Sequence, residues 1–260
     1  MLVLPGAPDS AGVDTARGAA APALPAEAVL LAPGGMVGQA RVTSAGSAGT
    51  ARCAGWPRVR LGPASGADAV PAWTVGLVPG SGAAPAILPL DSLDEQAGAD
   101  SAALAAALTR LAAGLPEAAG VRAATRAALR GVPFRVKRVR GFAPDSATRA
   151  VVAALTRTVN QEASPAADVL LLVAERPAAA GADAWRAAYA ERVTGPEETL
   201  PSTAVLAAVR LGAAPGRAHA ALVTAREADD GTRYGLLERV APGTWRARWT
   251  SARVGAGCAR

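Results

Sequence analysis

The chain has a single isoleucine, Ile87, and only nine aromatic residues (five Trp, two Tyr and two Phe) among its 260 residues. Its apolar fraction is 51%, but much of that fraction is alanine. A chain of this length can bury a sizeable core without metal clusters or many disulfides, and it allows one large domain or two small ones. The core therefore has to be built from Leu, Val and Ala, with a few Trp side chains as anchors.

The apolar patterning predicts an α+β fold, with antiparallel sheet or sheets and two or three packed helices. Residues 36–130 are expected to form short strands up to about residue 90, then a helix that begins at Asp100 and a weaker one over Glu117–Arg130. Four leucines give the first helix one apolar stripe: Leu104, Leu108, Leu111 and Leu115.

Residues 131–260 are expected to form a strand–helix–meander lobe, which could share one domain with the preceding segment. Phe134–Phe142 alternates and then slips, which predicts a strand with a bulge. The segment Pro144-Asp145-Ser146 would open a helix of about 16 residues. Its inward residues would be Val151, Val152, Leu155 and Val159. Antiparallel strands follow, and Thr203–Leu211 is ambiguous between helix and strand.

Residues 1–35 have the composition of an extended tail, because five prolines interrupt a stretch rich in Ala and Gly. Such a segment is expected to be disordered in isolation and to become ordered on a partner surface. Two short apolar patches would make that contact: Leu2, Val3, Leu4, Val29, Leu30 and Leu31.

The segment 126–149 carries seven basic residues and one acid, Asp145, so its net charge of +6 equals that of the whole chain. A local excess of this kind can steer an acidic partner. Arginine suits a protein interface because guanidinium groups form bidentate carboxylate contacts. A GC-rich genome also favours arginine, so its abundance alone is weak evidence. We predict a partner-binding basic face: Arg126, Arg130, Arg135, Lys137, Arg138, Arg140 and Arg149.

The two cysteines, Cys53 and Cys258, would close a loop of about 200 residues, which the chain-entropy model values at about 5 kcal/mol. We predict that they form a disulfide, with two buried free thiols as the alternative. A disulfide favours an oxidising, extracytoplasmic compartment such as the periplasm. The sequence shows neither a signal-peptide pattern nor an apolar run of 18 residues, so we expect a protein peripheral to the membrane.

Few residue patterns point to catalysis. His219 is the only histidine, so a metal site built on imidazoles lacks its second ligand. Asp91, Asp94 and Glu95 cluster before a helix, and Asp229-Asp230-Gly231 lacks the later ligands of a calcium loop. Helix entry and turn formation explain these acids more simply. We therefore expect no catalytic residues, no metal and no cofactor.

Three functions stay open. The favoured one is a non-catalytic extracytoplasmic accessory subunit that docks, through its tail and basic face, on a larger membrane-associated complex of photosynthetic, respiratory or secretion type. Its partners would be protein subunits, with an anionic membrane surface as a second candidate and nucleic acid not expected. The alternatives are a soluble ligand-binding domain with an apolar pocket lined by Trp185, Trp245 or Trp249, and an enzyme with a carboxylate-only site.

Overall fold

The structure is a computed structural model that describes residues 2–5, 10–14, 26–32, 35–46, 58–63, 74–78, 85–93, 99–159, 165–212, 218–229 and 231–251. The first part of the chain forms β1 (Leu2–Pro5), β2 (Ser10–Asp14), β3 (Ala26–Ala32), β4 (Gly35–Gly46), β5 (Arg58–Pro63), β6 (Val75–Leu77), β7 (Ala86–Leu88) and β8 (Asp91–Ser92). Two helices and the remaining strands follow: α1 (Ala99–Ala113), α2 (Ala123–Leu129), β9 (Arg135–Asp145), β10 (Thr148–Val159), β11 (Ala166–Pro177), β12 (Arg186–Pro196), β13 (Ser202–Leu211), β14 (His219–Ala228), β15 (Gly231–Ala241) and β16 (Thr244–Thr250).

The described residues divide into two compact units. The first takes its residues from Met1–Leu88, Ala204–Glu238 and Ala247–Arg260, and the second from Pro89–Thr203 and Arg239–Arg246. Neither described helix has the length and apolar character that a bilayer-spanning segment requires.

The first unit holds a six-stranded sheet that closes on itself in the order β1-β2-β5-β4-β3-β6. A second sheet has the order β16-β15-β14-β13-β7, and the tip of its β15–β16 hairpin belongs to the second unit. Small and branched aliphatic side chains fill the core of the first unit, among them Val29, Leu31, Leu206 and Val223.

The second unit is built on a five-stranded sheet in the order β12-β11-β10-β9-β8. Helix α1 packs on one face of this sheet, where Leu108, Leu155 and Leu172 are all buried. Asp100 lies in the first turn of α1 and Arg110 in its last, where each charge complements the helix dipole. The predicted helix at Asp100 is confirmed by α1. The predicted bulge in the Phe134–Phe142 strand is also confirmed, since the β9–β10 register shifts between Ala154 and Leu155.

The predicted α+β fold class is wrong, because the described structure is mostly antiparallel sheet with only two helices. The predicted N-terminal tail contributes strands β1, β2 and β3 to the closed sheet. The predicted helix after Pro144 is strand β10, so the expected strand–helix–meander lobe is a run of strands.

The prediction of a helix in place of strand β10 has a physical reason. It lies between β9 and β11 and is covered on both faces, so Ala150, Val151, Val152 and Ala153 are all buried. A strand buried on both faces has no alternation of apolar and polar residues, and its valines also fit a helical stripe. The branched side chains of Val and Thr, which favour strands, make up half of it. The Asp145 carboxylate that was expected to start a helix instead accepts a hydrogen bond from the Ala147 backbone in the β9–β10 turn (2.9 Å).

Candidate functional site: a cavity beside two unpaired arginines

Alternate residues of β10 and β11 point toward α1 and form what we call the helix face of the sheet. The cross-strand pairs along it are Arg149–Arg176, Val151–Ala174, Ala153–Leu172, Leu155–Leu170 and Arg157–Asp168. The three middle pairs belong to the apolar core beneath α1. This series of pairs therefore has two opposite charges at one end, Arg157 and Asp168, and two like charges at the other, Arg149 and Arg176.

The end with opposite charges is a closed ionic cluster. Asp168 is 0% exposed, and its carboxylate accepts hydrogen bonds from Arg157 (2.9 Å), Arg192 (2.6 Å) and Thr194 (3.1 Å). Both guanidinium groups lie over the Phe134 ring, 4.8 and 5.3 Å from its centroid. They also donate to backbone carbonyl groups near the ends of the helices: Leu115, Pro116 and Leu129. Two guanidinium groups share one carboxylate, and each of them also donates to backbone carbonyl groups, so this cluster has a structural role in holding the helices to the sheet.

The end with like charges is not compensated. Arg149 and Arg176 face each other across β10 and β11, and neither is in an ion pair with any described residue. The Arg176 guanidinium lies 5.1 Å from the centroid of the Trp185 ring, and its Nε atom is buried without a hydrogen-bond partner. Like charges at directly opposite positions are destabilising, and a buried donor without an acceptor carries a desolvation cost. An anion held between the two guanidinium groups would remove the repulsion between them.

The two arginines line a cavity of about 720 Å³ in the second unit. Leu93, Leu104 and Trp185 give it apolar walls, and Asp91 and Asp100 also line it. Typical small-molecule sites enclose about 300–1,000 Å³ and combine apolar walls with a few polar groups. The cavity therefore has the size and chemistry of a site for a small organic ligand.

A second ionic cluster lies on the opposite face of the sheet, at the tip of the β15–β16 hairpin. The Glu175 carboxylate is buried and accepts hydrogen bonds from Arg239 (2.8 and 3.0 Å), from the Gly243 backbone (2.8 Å) and from the Trp245 indole. Arg239 also donates to Asp145. Four strands and a turn are joined through these groups, so this cluster too is structural.

The titration properties of this second cluster agree with a charged, fully bonded state. Burial would raise the pKa of Asp145, but hydrogen bonds from Arg239, Thr148 and the Ala147 backbone outweigh it and lower the pKa below its usual 3.8. Burial would likewise lower the pKa of Arg239, but its hydrogen bonds to Glu175 and Asp145 raise it. Arg239 and Asp145 are therefore both ionised at neutral pH.

The seven predicted basic residues lie on three elements of the second unit. Arg126 on α2 forms an ion pair with Glu117 (2.6 Å), and Arg130 is exposed just after that helix. Arg149 lies on the helix face, beside the cavity. The other four are on β9: Arg135, Lys137, Arg138 and Arg140.

The arginines of β9 lie on one side of the sheet. Arg135, Arg138 and Arg140 pair with β10 residues that alternate with the helix-face set, so they point away from α1, and Lys137 occupies the bulge. None of these four is in an ion pair with a described residue. Arg149 therefore does not share a face with the three arginines of β9.

The remaining predicted contact residues are distributed as follows. Three of the predicted tail contacts are buried within the first unit itself and need no partner to cover them: Val29, Leu30 and Leu31. Only the backbone is described for the other three, Leu2, Val3 and Leu4, which lie in β1.

The two cysteines, Cys53 and Cys258, lie outside the described residues, so the disulfide stays a prediction. Of the three tryptophans proposed for a pocket, only Trp185 lines this cavity; Trp245 bonds Glu175 and Trp249 packs on the core of the first unit.

The other titratable residues considered in the sequence analysis do not form a common site among the described residues. His219 lies 2.6 Å from Glu238, which is also 3.7 Å from Arg248. Asp91 lines the cavity, whereas Asp94, Glu95 and Asp230 lie outside the described residues. In the part of the chain that the structure describes, no three His, Cys, Asp or Glu side chains form a group that could hold a metal ion.

The sequence prediction missed Arg176 entirely. Its position opposite Arg149 depends on the β10–β11 hairpin, and that pairing could not be anticipated while β10 was predicted to be a helix. Arg176 directly follows the buried run Leu170–Glu175, so its place at the end of a buried strand was the only available signal. Comparison of the chain with protein-family models, curated proteins and solved structures finds no match, so no family assigns a role to these residues.

Proposed function

We propose that this protein is a binding domain whose second unit holds a small organic anion in the cavity lined by Arg149 and Arg176. The observation that carries this proposal is the pair of facing arginines, neither of them ion-paired with a described residue, that line an apolar-walled cavity. It develops the ligand-binding alternative of the sequence analysis, and it places only Trp185 of the three candidate tryptophans in the pocket.

The chemistry of the two arginines favours a carboxylate or phosphate. Guanidinium groups present several N–H donors in a planar fork that matches these oxyanions. The Trp185 ring, whose centroid lies 5.1 Å from the guanidinium carbon of Arg176, holds that side chain in place. The apolar walls favour a ligand whose remaining part is a ring or a short alkyl chain.

A binding titration tests the proposal, with 4-ethylphenylacetate as the probe and its neutral amide as the comparison. At roughly 0.3 kcal/mol per non-hydrogen atom, the acid should bind with a Kd of a few millimolar, which ligand-observed NMR detects. The double variant Arg149→Met, Arg176→Met should weaken binding of the acid at least about tenfold, because each charge-assisted hydrogen bond contributes roughly 1.5–3 kcal/mol. The amide should bind weakly to both proteins.

The control is Arg246→Met, which removes an exposed arginine of the second unit that does not line the cavity. It should leave the Kd of the acid within about twofold, since a screened surface charge contributes little. Equal binding of acid and amide, or unchanged binding in the double variant, would overturn the proposal.

A second candidate function is association with an acidic protein partner outside the cytoplasm, as an accessory subunit of a larger membrane-associated complex. It is favoured by the basic residues of β9, of which Arg135 and Arg138 are exposed on one side of the sheet without an ion pair to a described residue. Basic side chains also protect a sheet edge from unwanted pairing, so this observation supports the docking role less directly than the cavity supports ligand binding.

Poly-L-glutamate of defined length is a suitable probe for this docking role. The variant Arg135→Gln, Arg138→Gln should bind it about fivefold more weakly than the wild type, at roughly 0.5 kcal/mol for each exposed charge. The control Arg122→Gln, Arg246→Gln makes the same change of net charge at exposed arginines that are not part of β9. Equal losses in the two variants would show a general effect of charge and would contradict docking at β9.

A further inference from the structure

The cavity is lined by four charged side chains, two of each sign. Arg149 and Arg176 are on the sheet, Asp91 is on β8, and Asp100 is in the first turn of α1. None of the four is in an ion pair, either with another of the four or with any other described residue. The cavity is therefore close to neutral as a whole but carries separated charges.

The register of the sheet gives the separation. Asp91 pairs with Gly141 on β9, Gly141 pairs with Val151 on β10, and Arg149 lies two residues before Val151. Two strand spacings of about 4.8 Å and two rises of about 3.3 Å put the Cα atoms of Asp91 and Arg149 about 12 Å apart. Arg176 lies one strand farther away. The acidic side chain and the two basic ones consequently occupy different ends of the cavity.

The two acids differ in whether a structural role accounts for their positions. Asp100 has an ordinary structural role, because a carboxylate in the first turn of a helix is stabilised by the helix dipole. Asp91 has no comparable role, since β8 contains only Asp91 and Ser92 and its carboxylate bonds no described residue. Asp91 is exposed and lines the cavity, so its carboxylate is available to a ligand there.

We propose that the ligand of this cavity is dipolar, with its anionic group between Arg149 and Arg176 and an ammonium group at Asp91. This inference rests on the proposed function and narrows it. The two charges must be separated by a rigid or extended apolar body that lies along Leu93 and Trp185, which fits an ω-amino acid or a short peptide. An α-amino acid does not fit, because its two charged groups are attached to the same carbon.

Two isosteric probes test the inference, namely 4-ethylphenylacetate and 4-(aminomethyl)phenylacetate, which differ only by a terminal methyl group in place of an ammonium group. The wild type should bind the amino acid about twofold to fivefold more tightly than the ethyl compound, the gain expected of one accessible ion pair. The variant Asp91→Asn should lose that preference while it still binds the ethyl compound. The control Asp183→Asn, at an acid that is 95% exposed and does not line the cavity, should keep the preference.

The outcomes separate the two proposals. If neither probe binds, the proposed function fails and the dipolar ligand fails with it. If the ethyl compound binds as tightly as the amino acid, the cavity is an anion site and only the dipolar ligand is overturned. If Asp91→Asn keeps the preference but Asp91→Asn, Asp100→Asn loses it, the ammonium contact belongs to Asp100, and our assignment to Asp91 is wrong.

Discussion

Substitution of Asp168 by Asn should lower the free energy of unfolding by about 3–5 kcal/mol. Among the described residues, Asp168 is the only anion paired with Arg157 and Arg192, whose side chains are 14% and 8% exposed, and it is itself 0% exposed. An amide preserves the shape but leaves two largely buried guanidinium groups without a counter-ion. A domain is usually stable by about 5–15 kcal/mol, so a loss of this size is a large part of the total. Urea denaturation at neutral pH measures it.

The matched control is Asp183→Asn. Asp183 is also paired with an arginine, Arg110, at 3.4 Å, but its side chain is 95% exposed. An exposed pair contributes at most about 1 kcal/mol, so this variant should unfold close to the wild-type midpoint. A loss below about 1 kcal/mol in Asp168→Asn, equal to that of the control, would show that the ionic cluster does not hold the helices to the sheet.

Patterns within one element predict part of this fold, whereas the rest depends on how the strands pair with one another. Helix α1 could be predicted because its leucine stripe and its acidic first turn are local signals. Strand β10 could not, because burial on both faces removes the alternation that identifies a strand. An apolar run of this kind is compatible with either structure until the neighbouring strands are known.

The candidate site depended on the same pairing. Arg149 was recognised only as one of seven basic residues, and its facing partner Arg176 was not recognised at all. The strong charge of 126–149 suggested one basic face, whereas the alternation of β9 and β10 divides it between the two sides of the sheet. Asp168 and Glu175, the buried acids, have no sequence signal that distinguishes them from exposed ones. Side-chain chemistry could be read from the sequence, but the juxtaposition of residues required the strand register.

Substitution of Arg239 by Met should also lower the free energy of unfolding by about 3–5 kcal/mol at neutral pH. Arg239 is 10% exposed and donates to both Glu175 and Asp145. Methionine fills much of the same volume, but Glu175 then stays buried without its cationic partner. The control is Arg126→Met: Arg126 has an equally short ion pair with Glu117, at 2.6 Å, but both side chains are almost half exposed. That variant should lose at most about 1 kcal/mol.

The pH dependence distinguishes loss of the ion pair from loss of packing. Arg239 helps to hold the pKa of Asp145 below its usual 3.8, so the stability that this carboxylate contributes is fully present above about pH 4 and is lost as the pH falls through the folded-state pKa. The variant lacks that contribution at every pH. The gap between wild type and Arg239→Met in urea should therefore be larger at pH 7 than at pH 3. A gap that stays the same size down to about pH 3 would mean that Arg239 stabilises the hairpin tip through its packing rather than its charge.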